Sequence, residues 1–90
     1  MLIQVELHLT ECHSLKEKRG VMKPLLNRLR SDFNISVAET DHHDFWQSAQ
    51  LSLIAVSNLR PALESLERAL EEYFNSSPHT QVSGWHKEWL

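Results

Sequence analysis

Two stretches of this chain alternate apolar and polar residues, and two others carry their apolar residues on a single helical stripe. That pattern leaves few folds open. Ile3, Val5, Leu7 and Leu9 alternate with Gln4, Glu6, His8 and Thr10, the period of a strand with one buried face. From Trp46 to Val56 the alternation returns, Ala49, Leu51, Leu53 and Ala55 against Ser48, Gln50, Ser52 and Ile54. Between them Leu15, Met22, Leu26, Leu29 and Phe33 fall within one arc at about 100° per residue. This predicts a helix over about 15–31. Ser14 with Glu17 three residues on matches a capping box at its start. A second stripe, Ala62, Leu63, Leu66, Ala69, Leu70, Tyr73 and Phe74, follows Asn58 as the expected cap and Pro61 in the first turn.

Residues 35–40 read as a short strand joined through the polar turn Asp41-His42-His43-Asp44 to the next, and residues 80–90 as a final strand. The order is βαββαβ. Two helices with one apolar stripe each can cover one face of a four-stranded antiparallel sheet. Right-handed crossovers then favour a ferredoxin-like α+β sandwich. Pro24 removes the helical bond to the Gly20 carbonyl, so the expectation is a local kink or two separate helical turns.

The chain has 90 residues, enough for a single domain over 1–90 with one modest core that buries about 64% of the unfolded surface. A lone Cys12 rules out a disulfide framework and fits a reducing compartment. The apolar residues at the start are broken at every second position, so neither a leader nor a membrane span is expected, and the default location is cytoplasmic. With a net charge of -3, the surface as a whole does not attract polyanions or anionic membranes.

Ser14-Leu15-Lys16-Glu17-Lys18-Arg19 and Phe33-Asn34-Ile35-Ser36-Val37-Ala38-Glu39-Thr40-Asp41, with Trp46-Gln47 and Ala55-Val56-Ser57-Asn58, resemble the signature of the YlxP-like family of small bacterial proteins. The resemblance spans residues 1 to about 75. It implies a ferredoxin-like fold and no agreed activity, and it carries over no catalytic residue. Members are often encoded among translation and ribosome-maturation genes, which implies company rather than chemistry. Gly20, Pro24 and the His42-His43 pair lie outside that pattern.

Charge is unevenly placed. Residues 14–30 hold Lys16, Lys18, Arg19, Lys23, Arg28 and Arg30 against Glu17 alone. With Leu15 at 0°, Lys16, Arg19, Lys23 and Arg30 fall between about 40° and 100°, one stripe beside the apolar face. Such a row can track phosphates or simply flank the core with its methylene stems. The leading expectation is a non-enzymatic module that touches RNA or a ribosome-associated protein through these four residues. The alternative is a homo-oligomeric small-ligand or metal-binding module, with His42 and His43 as its polar candidates. Trp85 and Trp89 either close the core or meet a second copy in a homodimer. No Gly-rich phosphate loop exists, and Cys12 beside His13 is not a catalytic pair by adjacency. Neither a cofactor nor an enzyme is expected.

Overall fold

The computed structural model describes residues 1–90. Its elements run β1 (Leu2–His8), α1 (Leu15–Asp32), β2 (Ser36–Asp41), β3 (Ser48–Ile54), α2 (Arg60–Asn75) and β4 (Gln81–Glu88). All strand pairs are antiparallel, in the order β2-β3-β1-β4. This is the ferredoxin-like sandwich expected from the pattern.

The period-two arithmetic sets the core. Ile3, Val5, Leu7, Val37, Leu51 and Leu53 point inward, and Met22, Leu25, Leu29, Leu63, Leu70 and Phe74 from the helices close over them. Phe74 is fully buried and meets Tyr73 and Trp85 edge-on, with ring centroids at 5.8 and 6.1 Å. The opposite face of the sheet carries Gln4, Glu6, His8, Gln50 and Ser52, where Thr40 bonds both Gln50 and Ser52.

The cap forms at Ser14, with the reciprocal bond of the expected capping box displaced by one residue, to His13. Ser14 Oγ accepts from the Glu17 amide at 3.1 Å, and the Glu17 carboxylate reaches back to the His13 amide at 2.8 Å. In contrast, α1 is one helix through Pro24 rather than two turns. Pro24 and Gly20 both stand on the exposed side of the helix. Water can therefore solvate the carbonyl that Pro24 leaves without a donor. Asn58 does not cap α2. Leu59 holds that position without a side-chain bond, while Pro61 sits in the first turn as expected. β3 is also shorter than its alternation, because Phe45, Trp46 and Gln47 belong to the turn before it.

β4 is fastened to α2 by a polar pair of contacts. Glu67 accepts from Trp85 Nε1 at 3.1 Å and from Lys87 Nζ at 2.9 Å. Burial alone would raise the Glu67 pKa, but the bonds from Lys87 and Trp85, with the charges of Lys87 and Arg68, outweigh it and hold the carboxyl below its ordinary value. A depressed folded pKa means its stabilisation is complete above the unfolded value, near about 4.3, and is lost as the pH falls through the folded one. Glu67→Gln should therefore flatten the loss of unfolding free energy between neutral pH and about pH 3, measured by urea titration at each pH. An unchanged acid limb would show that Glu67 is not among the groups that set it.

Candidate nucleic-acid interface

The residues of α1 divide into those the fold uses and those it leaves free. Ser14 and Glu17 form the cap. Lys18 is 3% exposed, and its ammonium reaches the carbonyls of His42 at 2.6 Å and Phe45 at 2.7 Å, and Glu39 Oε2 at 2.8 Å. All three protons of the ammonium have acceptors, which is the condition for burying it. Glu39 Oε2 has no neutral donor, so Lys18 is what compensates its charge. This staple ties the start of α1 to the end of β2 and to the turn that follows. In that turn His42 takes a left-handed conformation with φ 63°, its amide bonded to the Asp41 carboxylate at 2.8 Å.

Helical arithmetic contains the signal for this pair. Lys18 lies at about 300° on the scale that puts Leu15 at 0°, between Leu25 and Leu29 and inside the apolar arc. Glu39 shares the inward face of β2 with Val37, two residues away. Two charges on two inward faces require each other.

The stripe is brought together. Lys16, Arg19, Lys23 and Arg30 are all exposed. Arg19, Lys23 and Arg30 line a shallow groove of about 250 Å³ between α1 and β2, with Asn27 and Glu39. Arg19 and Glu39 also line an adjoining recess that reaches His43 and Asp44 of the turn. Lys16 lies outside the groove lining, one turn nearer the helix start. Arg30 has a structural attachment as well, donating to the Val37 carbonyl at 3.1 Å.

The chain's ion pairs engage Lys18, Arg60 and Lys87 among its lysines and arginines, plus four histidine contacts. Lys16, Arg19, Lys23, Arg28 and Arg30 have no carboxylate partner. The helix thus presents an uncompensated cationic surface on a chain whose net charge is -3.

The two turn histidines diverge. His42 stacks on Phe45 and comes within 3.9 Å of Glu6 on the open sheet face, whereas His43 faces the recess beside Arg19. No three histidine, cysteine or carboxylate side chains converge on a point that could hold a metal ion. Cys12 is buried, and burial, with the Glu17 and Glu11 carboxylates nearby, pushes its thiol pKa up despite Lys18. That is the opposite of an activated nucleophile.

The tryptophans separate too. Trp85 is half-buried on Phe74 and held by Glu67. Trp89 lies just past β4 with Arg60 at 4.2 Å and Lys87 at 5.3 Å from its ring centroid, so both rings lean on the helix side. Trp46 is exposed, with His13 at its edge.

Fold and groove together define a small ferredoxin-like α+β protein with a cationic edge. Residues 1–86 match the family described as a protein of unknown function, DUF503, and the chain belongs to that family. It is 34% identical over 77 residues to the uncharacterized protein YlxP of Bacillus subtilis (strain 168), covering 86% of this chain and 84% of that protein. No helix is long and apolar enough to cross a membrane.

Proposed function

We propose that this protein is a non-enzymatic, cytoplasmic RNA-binding module that grips the phosphate backbone with Lys16, Arg19, Lys23 and Arg30. The observation that carries the reading is the set of α1 cations without carboxylate partners, three of which line one groove. The placement of these charges also works against the helix. Lys16 sits in the first turn, where the macrodipole disfavours a cation. Lys16, Arg19 and Lys23 follow one another at three- and four-residue spacings, where like charges repel. A row that costs the helix stability, on a protein otherwise acidic, fits selection for a polyanionic partner. The buried Cys12 thiol supports the non-enzymatic part of the reading.

Binding of a stem–loop RNA over a salt series tests this. Four phosphate contacts give a slope of log affinity against log salt of about -3, so affinity falls about 50-fold between 50 and 200 mM salt. Replacing the four residues with Gln should bring the slope near zero while far-ultraviolet circular dichroism is unchanged. Absent binding at low salt, or a slope the four substitutions do not alter, overturns the reading.

A further inference from the structure

Two large rings stand exposed in the turn between β2 and β3, outside the core. Phe45 is 57% exposed and Trp46 43%, although Leu51, Leu53 and Phe74 show that the core has no shortage of side chains to fill it. The turn bearing them is also fixed more firmly than a solvent-exposed connection requires. Lys18 holds the carbonyls of His42 and Phe45, and the Phe45 amide closes back on the His42 carbonyl at 3.1 Å. Each ring has a second ring behind or beside it. His42 stacks against Phe45 at 5.4 Å and 22°, and His13 meets Trp46 edge-on at 6.1 Å and 73°.

This turn adjoins the groove. His43 and Asp44, the residues just before Phe45, line the same recess as Arg19. His13, at the edge of Trp46, immediately precedes the cap of α1, three residues before Lys16 in its first turn. Aromatic faces next to a row of cations are the two components of single-strand recognition: bases stack on rings while the backbone follows the charges. Duplex RNA offers no such faces, because its bases already stack on one another and only backbone and groove are accessible.

Resting on the RNA reading above, we infer that Phe45 and Trp46 are a stacking platform for unpaired bases, so that the partner is single-stranded or looped RNA rather than duplex. Among Gln4, Glu6, His8, Gln50 and Ser52 the open sheet face has no phenyl or indole ring of its own, and Phe45 adjoins its edge through His42, whose imidazole comes within 3.9 Å of Glu6.

The test compares three probes of equal length, about 12 nucleotides, by fluorescence anisotropy at about 100 mM salt. They are a single strand, the same sequence as a duplex, and an abasic strand that keeps the sugar–phosphate backbone. The single strand should bind at least about tenfold more tightly than either of the others. Phe45→Ala with Trp46→Ala should remove that advantage and leave the salt slope intact. Equal affinity for all three probes overturns the platform while the cationic reading stands. No binding of any probe at low salt overturns the cationic reading itself. If the double variant does not fold, the comparison of the three probes on the unaltered protein still decides.

Discussion

Lys18→Met should lower the free energy of unfolding by about 3–5 kcal/mol, the cost of breaking a buried ion pair from one side. The substitution keeps most of the side-chain volume, so the loss is electrostatic rather than a cavity. It leaves Glu39 Oε2 buried without a counter-charge and frees the carbonyls of His42 and Phe45. A domain of this size is stable by only about 5–15 kcal/mol, so the variant should unfold at a much lower urea concentration. The slope of the transition should stay the same. Adding Glu39→Gln should recover part of the loss, because it removes the stranded charge but not the stranded carbonyls. A change below about 1 kcal/mol in the single variant would contradict a structural role for the staple.

Reversing two charges of the stripe should move stability and RNA affinity in opposite directions. Lys16→Glu with Lys23→Glu places carboxylates three residues before and four residues after Arg19. Two like-charge contacts become attractive, and the first turn gains an anion where the macrodipole favours one. Unfolding free energy should rise by about 1 kcal/mol. Affinity for the stem–loop RNA should fall by about two orders of magnitude at 50 mM salt, with a salt slope shallower by about 1.4. A residue whose only task is to flank the core cannot give this result, since its loss would lower stability or leave it unchanged. Parallel loss of both would mean that Lys16 and Lys23 serve the fold.

The elements were legible because each rule of periodicity met a buried face. Ile3, Val5 and Leu7 alternate and are all within 1% of full burial, and the Ser14–Glu17 cap sits where its spacing puts it. The end of β2 and the start of β3 were less legible. Trp46 opens the stretch read as β3 but belongs to a turn whose carbonyl at Phe45 is held by Lys18 from 27 residues away in sequence. Local pattern cannot register a tether of that length. Asn58 failed as a cap for a related reason: many residues can cap, and the chain enters α2 one residue later than the best capper.

In the site, the stripe followed from helical angles alone. The Lys18–Glu39 pair was present in the same arithmetic, but counting Lys18 as one more surface charge concealed it. The relation of the two rings to the stripe depends on which strand end lies beside which helix start, and that required coordinates.

The hydrogen bond from Arg30 to the Val37 carbonyl bears on how molecules of this kind avoid one another. β2 is the outermost ribbon on its side, and the rim of any sheet is a template onto which a foreign chain can zip. A guanidinium engaging one of that rim's acceptors puts a charged, bulky group where an incoming chain would lie. The same arm that the RNA reading assigns to a phosphate thereby also discourages runaway stacking of copies into fibres.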